Sequence, residues 1–277
     1  MVLPEMNSNQ MMRLADASLN RVAEGLRYLE DVCRFMLNDT ALNRRLKNIR
    51  HELVVGDWEN QKLLIDARDA GDDVGASLEA PADKETTRDL ISSVVANSRR
   101  VQEALRSLEE TSKITGLPVK LSSTQIQQTR FDMYSIEKEI LGKLTRQEKA
   151  KKVHGLYVVI DTQALSGRDI LQAAKQVIQG GAKVIQLRDK MMDKGQLLPV
   201  ATQMGELCRQ SNVLFIINDY IDMALAVKAD GVHLGQTDFP VAVARKLLPI
   251  DILIGCSVTN VKMAKKAQAD GADYIAV

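Results

Sequence analysis

Cysteine is scarce in this sequence. Only Cys33, Cys208 and Cys256 occur among 277 residues, far apart and without the spacing of metal ligands. This spacing excludes a disulfide-rich secreted scaffold and a cysteine-based zinc module. Because unpaired cysteine commonly packs as a small hydrophobic side chain, we expect all three to lie in the core of a protein of the reducing cytoplasm.

A strong excess of either charge is also absent, because 37 basic and 36 acidic residues give a formal net charge of +1. We therefore expect neither nucleic acid nor an anionic membrane surface as a partner. No apolar run approaches the roughly eighteen residues of a membrane span, and the N-terminus has no apolar signal segment. A content of 45% hydrophobic residues suits one large or two ordinary domains.

The first half of the chain shows helical periodicity over most of its length. Four helices are predicted, over residues 9–37, 39–53, 84–115 and 122–144. Asp39 is suited to cap the second helix, and Ser122 and Gln125 have the spacing of a capping box at the start of the fourth.

An internal repeat lies within these helices. Residues 21–31 read RVAEGLRYLED and residues 100–110 read RVQEALRSLEE, so the two segments align with an offset of 79 positions. A duplicated helix predicts two related helical hairpins, packed as an all-α bundle of four helices.

One face of the first helix is strongly polar and carries Glu24 and Arg27 with two further charged residues. Such a face is ordinarily a solvated run of ion pairs three and four residues apart. The repeat places Glu103 and Arg106 in the positions of Glu24 and Arg27, however. This coincidence suggests the alternative that two related halves face a common site, and both interpretations remain open.

The second half alternates strands with helices. Short runs rich in β-branched residues predict six strands, over residues 156–161, 184–187, 214–217, 231–234, 253–257 and 274–277. This alternation predicts a parallel sheet and an α/β TIM barrel. We expect Ser166 to cap the first helix of this half and Gly180-Gly181 to end it.

Residues 146–152 are charged and lack apolar periodicity, so they are predicted to link a helical domain, 1–145, to a barrel domain, 153–277. A closed barrel has eight strands. With six predicted strands, we expect the barrel to be incomplete at its C-terminus by two βα units of roughly thirty residues each.

Polar residues follow several of these strands, at the edge where the carboxyl ends of parallel strands meet. Gln186, Arg188 and Lys190 alternate along one run and are predicted to project to one face. Arg188 and Lys190 supply cationic donors for phosphate oxygens.

Asp219 and Asp238 follow two further runs and supply hard oxygen ligands, which suit a Mg²⁺ ion that bridges to a diphosphate. Asn218 adds a neutral donor beside them. Each carboxylate also has a simpler interpretation: Asp219 could cap a helix beginning near Tyr220, and Asp238 could cap the helix after Pro240.

Four short motifs occur in register over residues 155–277: QLRDK at 186–190, IND at 217–219, DGVHLGQTD at 230–238 and GCS at 255–257. In this order and spacing they resemble the thiamine-phosphate synthase family. The resemblance implies that a pyrimidine diphosphate is condensed with a thiazole phosphate, with release of diphosphate.

The resemblance also implies roles for single residues. Asp219 and Asp238 would hold Mg²⁺, while the basic residues and Asn218 would contact the diphosphate. Ser257 would hydrogen-bond the leaving group or the substrate, and Gln186 would meet the edge of the aminopyrimidine. His233 could orient the site, although a simple hydrogen-bonded barrel histidine is an equally good interpretation.

The helical half carries a second resemblance. Residues 16–31, DASLNRVAEGLRYLED, with RDAGDDVG at 68–75, resemble a helical domain fused ahead of some thiamine-phosphate synthases. That domain is associated with phosphorylating hydroxymethylpyrimidine phosphate to its diphosphate, which implies ATP and Mg²⁺. The sequence has no P-loop. The candidate residues for this site are Glu24, Arg27, Arg68, Asp72, Asp73, Glu103 and Arg106. Asp72 and Asp73 are equally suitable as turn residues beside glycine.

Two alternatives remain open from the sequence. The second half could be another phosphate-binding β/α barrel, such as an aldolase that uses Lys190 as a Schiff-base lysine. The helical half could be a non-catalytic module that forms a homodimer through its polar repeat face.

Overall fold

The computed structural model describes residues 8–54, 58–68, 89–115, 117–118 and 121–277. The chain forms two compact units, Met1–Leu141 and Gly142–Val277, and the boundary between them falls within a long helix. Within the described ranges, none of the helices combines the length and apolar character that crossing a membrane requires.

The first unit is helical. Its helices are α1 (Ser8–Asp31), α2 (Thr40–Val54), α3 (Trp58–Asp66), α4 (Leu90–Thr111) and the first part of α5 (Ser123–Ala150). The predicted caps are observed: Asp39 Oδ1 accepts from the backbone N–H groups of Ala41 and Leu42, and Ser122 Oγ accepts from that of Gln125. The short helix α3 was not predicted.

Two helix ends differ from the prediction. The first helix does not continue regularly to residue 37, because Val32–Met36 forms a π-helix after α1. The third begins at Leu90 rather than at residue 84. There Asp89 adopts an extended conformation, and its carboxylate accepts from the N–H of Ser92 at 2.6 Å, which fixes the start of α4.

The apolar stripe predicted from the repeat forms the core of this unit. Val22 and Leu26 of α1 and Val101 and Leu105 of α4 are fully buried. The two helices approach closely because α1 has a glycine, Gly25, opposite Val101. The core of the unit thus contains the same positions from both copies of the repeat.

The second unit is an α/β structure with six parallel strands in the order β1-β2-β3-β4-β5-β6. The strands are β1 (Tyr157–Asp161), β2 (Val184–Arg188), β3 (Leu214–Asn218), β4 (Gly231–Leu234), β5 (Leu253–Ser257) and β6 (Tyr274–Ala276). The intervening helices are α6 (Ile170–Gln179), α7 (Lys194–Gln210), α8 (Ile221–Ala226), α9 (Val241–Leu247) and α10 (Val261–Asp270). All six predicted strands are present.

The sheet has two apolar faces and curves strongly. One face, with Phe215 and Ile254, packs against the surrounding helices. The opposite face contributes Val184, Leu214 and Leu253 to a smaller cluster. Across the curved sheet, the hydroxyl of Tyr157 on β1 lies 3.0 Å from that of Tyr274 on β6. The strands therefore form part of a barrel whose inner face carries the polar residues described below.

Ser166 does not cap α6, contrary to the sequence prediction. Ser166 and Gly167 both have a positive φ and form a turn, so the helix begins three residues later than expected. The cap is Asp169, whose carboxylate accepts from the N–H of Gln172 at 2.8 Å. The predicted glycine stop is observed, because Gly180 is the C-cap and Gly181 has φ +91°.

The residues predicted as an irregular linker are mostly helical. Helix α5 continues to Ala150, since Arg146 is buried against Asp273 and Ala150 packs on the inner apolar cluster. The charged composition that resembled a linker thus reflects specific ion pairs within the second unit.

Candidate active site

The carboxyl ends of the strands collect the polar residues predicted from the sequence. Gln186 and Arg188 lie on one face of β2, as expected from the alternation of side chains along a strand. Gln186 is buried, and its Nε2 donates to the hydroxyl of Tyr157 at 2.8 Å. Arg188 is half-exposed and forms an ion pair with Asp161, its neighbour at the end of β1.

Lys190 lies beyond the end of β2 and forms an ion pair with Asp219. The hydrogen bond to Asp219 raises the pKa of the Lys190 ammonium. The pKa of Asp219 is also raised, first by burial and further by the neighbouring Asp238 carboxylate, although Lys190 opposes the shift. The two carboxylates and the lysine therefore form one electrostatic cluster.

Asp219 has a φ of +65°, which is uncommon for a residue with a side chain and is often found at functional sites. Its carboxylate does not cap the next helix, because Tyr220 is the N-cap of α8 and makes no side-chain cap. Asp238 does not cap α9 either. Its Oδ2 instead accepts from the N–H of Gly235 at 2.7 Å. The simple capping interpretations are therefore wrong for both residues.

A buried polar network crosses the inner face of the sheet. His233 on β4 lies 2.9 Å from the hydroxyl of Ser257 through Nε2 and 3.4 Å from that of Tyr274 through Nδ1. Tyr274 contacts Tyr157, which accepts from Gln186. Burial lowers the pKa of His233, so its imidazole is neutral near pH 7. The network joins two predicted substrate-binding residues, Gln186 and Ser257.

The remaining predicted residue of the barrel, Asn218, is buried at the end of β3 and pairs in register with His233 of β4.

Sequence reasoning missed Asp161, Tyr157 and Tyr274. Asp161 follows an apolar run just as Asp219 does, so the same rule could have identified it. The tyrosines carry no such signal, because their partners lie on other strands.

The predicted residues of the helical unit are more dispersed. Glu24, Arg27 and Glu103 are exposed on α1 and α4. Arg106 forms ion pairs with Glu109 at 3.1 Å and Glu110 at 2.8 Å. These positions fit the first of the two sequence interpretations, a solvated helix face with ion pairs three and four residues apart.

Arg68, just after α3, makes a two-pronged hydrogen bond to Asp16 of α1. Its Nε and Nη2 atoms lie 2.8 and 2.9 Å from the two carboxylate oxygens. Asn20 also donates to Asp16, at 3.2 Å. Asp72 and Asp73 lie outside the described residues.

Comparison with known proteins finds a family match for each half of the chain. Residues 156–277 match the family described as Thiamine monophosphate synthase, and residues 13–139 match the ThiD2 family. A thiamine-phosphate synthase from Synechocystis sp. is 41% identical over 265 residues, which cover 96% of this chain and 74% of that protein. The chain belongs to the thiamine-phosphate synthase family.

Other members of the family show the same relationship. A thiamine-phosphate synthase from Nostoc sp. is 41% identical over 96% of this chain and 72% of its own length, and one from Thermosynechococcus vestitus is 37% identical over 99% and 75%. A solved thiamine phosphate pyrophosphorylase from Pyrococcus furiosus is 35% identical, with a TM-score of 0.43 over 46% of this chain and 60% of its own.

The strand-end carboxylates fit the Mg²⁺ that the family resemblance implies. Within the described residues, no group of three or more histidine, cysteine or acidic side chains forms a complete metal cage. Asp219 and Asp238 lie together, and Mg²⁺ is commonly held by one or two carboxylates with water and substrate phosphate. Two adjacent carboxylates are therefore a donor set that suits such a metal.

Proposed function

We propose that residues 153–277 carry the synthase site of thiamine biosynthesis, in which a pyrimidine diphosphate and a thiazole phosphate give thiamine phosphate and diphosphate. The observation that carries this proposal is the position of Lys190 beside Asp219 and Asp238, with Arg188 at the neighbouring strand end. The family membership supports the same reaction.

In this reaction the bond between the pyrimidine methylene carbon and a diphosphate oxygen breaks, and a bond from that carbon to the thiazole nitrogen forms. Negative charge develops on the departing diphosphate. Arg188 and Lys190 would stabilise that charge through fixed cationic donors, and Asn218 would add a neutral one. When bound by Asp219 and Asp238, Mg²⁺ would neutralise part of the same charge.

Gln186 and Ser257 would orient the pyrimidine. Because Nε2 of Gln186 already donates to Tyr157, its Oε1 is directed by that bond and is suited to accept from the exocyclic amino group. Ser257 is held by His233 in the same way. A neutral His233 can accept or donate at this position without adding charge near the substrate.

The aldolase alternative is less well supported. A Schiff-base lysine must lose its proton, and such lysines have lowered pKa values. Lys190 has the opposite property, because its ion pair with Asp219 raises its pKa. The electrostatics therefore favour a phosphate-binding ammonium over a nucleophilic amine.

The synthase proposal is tested with Asp219→Asn and Asp238→Asn. We expect each to lower Mg²⁺-dependent formation of thiamine phosphate by about 100-fold, the order of loss seen when a fixed electrostatic group is removed. The far-ultraviolet circular dichroism should not change. Asp222→Asn is the matched control, since Asp222 is exposed and pairs with Lys194 on the neighbouring helix. Full activity with unchanged metal dependence in both variants would contradict the assignment.

We further propose that residues 1–145 form a duplicated helical bundle that transfers a phosphoryl group from ATP to hydroxymethylpyrimidine phosphate, in the presence of Mg²⁺. The ThiD2 family match supports it, and the product would be the substrate of the synthase site. Ion pairs at corresponding positions of the sequence repeat also support the proposal. Glu30 pairs with Arg50 at 2.6 Å, and its repeat partner Glu109 pairs with Arg130 at 3.3 Å.

For the kinase site we retain the candidate residues from the sequence, with Arg68 as the strongest. Asp16, which also accepts from Asn20, fixes the guanidinium of Arg68. In the sequence Arg68 precedes the segment that contains Asp72 and Asp73. Arg68→Gln should abolish nucleotide-dependent formation of the pyrimidine diphosphate, whereas Arg99→Gln on the exposed surface of α4 should not. Absence of transfer in a folded wild-type protein would favour the dimerisation module. Light scattering with and without ATP tests that alternative directly.

A further inference from the structure

A polar cleft of about 510 Å³ lies in the helical unit, and none of the residues proposed for the kinase site lines it. It is formed by the π-helix at Val32–Met36, the turn that follows and the first turns of α2. Its volume is within the range of small-molecule sites. The lining residues are Arg34, Asn38, Asp39, Thr40, Asn43, Arg44, Lys47 and Asn48.

The lining is cationic. It includes three cations, Arg34, Arg44 and Lys47, and one carboxylate, that of Asp39, which accepts from two backbone N–H groups at the start of α2. Across the part of the chain that the structure describes, none of the three cations forms an ion pair. By contrast, two other arginines of α2 form ion pairs. Arg45 pairs with Glu139 at 2.8 Å, and Arg50 pairs with Glu30.

The repeat provides an internal comparison. With the offset of 79 positions, Arg34 corresponds to Lys113. Lys113 lies 3.2 Å from both Glu109 and Glu110, so the second copy neutralises this cation. In the first copy Glu30, the counterpart of Glu109, pairs with Arg50 instead, and Arg34 stacks on Phe35 beside the cleft. The two copies thus differ at the position that supplies a cation to the cleft.

We propose that this cleft binds a phosphate-bearing anion, with the phosphate chain held by Arg34, Arg44 and Lys47. Guanidinium and ammonium groups are the preferred donors for phosphate oxygens. The amides of Asn38 and Asn48 add neutral donors beside them, whereas that of Asn43 donates to the carbonyl oxygen of Glu30 at 2.8 Å. Three cations suit a diphosphate or triphosphate better than a single phosphate. The proposal concerns binding alone, so it stands whether or not the helical unit transfers a phosphoryl group.

The test measures binding of inorganic triphosphate, ATP and adenosine to the full chain by calorimetry at low and physiological salt. The chain carries Lys190→Gln, which we expect to weaken phosphate binding beside Asp219 and Asp238 in the second unit. Arg44→Gln/Lys47→Gln is compared with Arg99→Gln/Lys138→Gln, which removes the same charge from exposed positions on α4 and α5.

We expect the cleft variant to bind triphosphate and ATP at least about tenfold more weakly, since two charge-assisted hydrogen bonds are lost. The control should stay within about twofold. Where the affinity lost in the cleft variant is greater for ATP than for triphosphate, the cleft binds a nucleotide; an equal loss identifies the phosphate chain alone. Three results would overturn the proposal: unchanged binding in the cleft variant, equal weakening in the control, or adenosine binding as well as ATP. Arg34→Gln provides an independent variant outside α2.

Discussion

Nε2 of His233 lies 2.9 Å from the hydroxyl of Ser257, which connects β4 to β5 on the inner face of the curved sheet. Through Tyr274 and Tyr157 the same histidine is connected to Gln186 on β2. Burial raises the pKa of both tyrosines, so their phenols remain protonated and can donate. The network therefore orients the proposed pyrimidine-binding groups without placing charge beside them.

The first prediction concerns the pH dependence of stability. The pKa of His233 is lowered by burial, so below its ordinary value of 6.5 the unfolded chain takes up a proton that the folded chain does not. Stability should therefore fall as pH decreases through this value, by at most about 1.4 kcal/mol per pH unit, until the folded pKa is reached. His233→Gln should lose less stability than wild type between pH 7.5 and pH 5.5 in denaturant unfolding. An equal loss in both proteins would contradict a buried neutral histidine.

The second prediction concerns Tyr157, whose hydroxyl accepts from Nε2 of Gln186 at 2.8 Å. Tyr157→Phe removes the acceptor and leaves a buried amide N–H without that partner. Loss of one such bond costs about 1 kcal/mol, so we expect KM for the pyrimidine diphosphate to rise about fivefold with a smaller change in kcat. Steady-state kinetics on both substrates provide the measurement.

Tyr134→Phe is the control for this variant, because Tyr134 is exposed on α5 and its hydroxyl contacts only an arginine among the contacts described. If Tyr157→Phe raises KM for the thiazole phosphate as much as KM for the pyrimidine diphosphate, Tyr157 has no specific role in orienting Gln186.

The sequence predicted those parts of the fold that depend on local patterns. Each strand of the second unit is a short apolar run ending in polar residues. Asp219 and Asp238 were predicted as metal ligands from that position together with the family motifs. The pairing of Asp161 with Arg188 was missed because it depends on the register between two strands. The same applies to His233 and Tyr274, which are 41 positions apart.

Charged segments were the hardest to interpret. Arg146 and Lys149 look like linker residues, yet they fix the end of α5 against acidic residues more than one hundred positions away. In the helical unit the repeat was recognised from apolar and charged positions together. Lys113 forms an ion pair with Glu109, whereas Arg34 does not pair with the corresponding Glu30, which pairs with Arg50 of α2. The sequence could not predict this difference, because it depends on which helix supplies the cation for each glutamate.

The third prediction tests the close approach of α1 and α4. A Cβ added at Gly25 would lie 2.5 Å from Cγ2 of Val101 and 3.2 Å from the carbonyl oxygen of Asn97. Gly25→Ala gains up to about 1 kcal/mol of helix propensity, but overpacking a buried contact costs typically about 1–3 kcal/mol, so we expect net destabilisation. Gly195→Ala in α7 is the matched control: no atom lies within 4 Å of its added Cβ, and it should be neutral or stabilising. Thermal unfolding of both variants decides the point.

The last prediction concerns Asp273, which lies just before β6 and holds two arginines. Its Oδ1 accepts from Nε of Arg146 at 2.9 Å, and its Oδ2 accepts from Nη2 of Arg245 at 2.5 Å and from the N–H of Ile254 at 2.8 Å. All three charged side chains are largely buried.

Because the two guanidinium groups have little access to water, removal of the shared carboxylate leaves both of them poorly compensated. Breaking a buried ion pair from one side costs about 3–5 kcal/mol, so Asp273→Asn should destabilise the second unit by about 3 kcal/mol in denaturant unfolding. Asp270→Asn is the control, since its pair with the exposed Lys266 is of the kind that contributes about 0.2–1 kcal/mol. Burial lowers the pKa of Arg245, but a guanidinium remains charged throughout the accessible range, so the loss should be the same at pH 6 and pH 8. A cost no larger than that of the control would show that Arg146 and Arg245 find other partners when the carboxylate is absent.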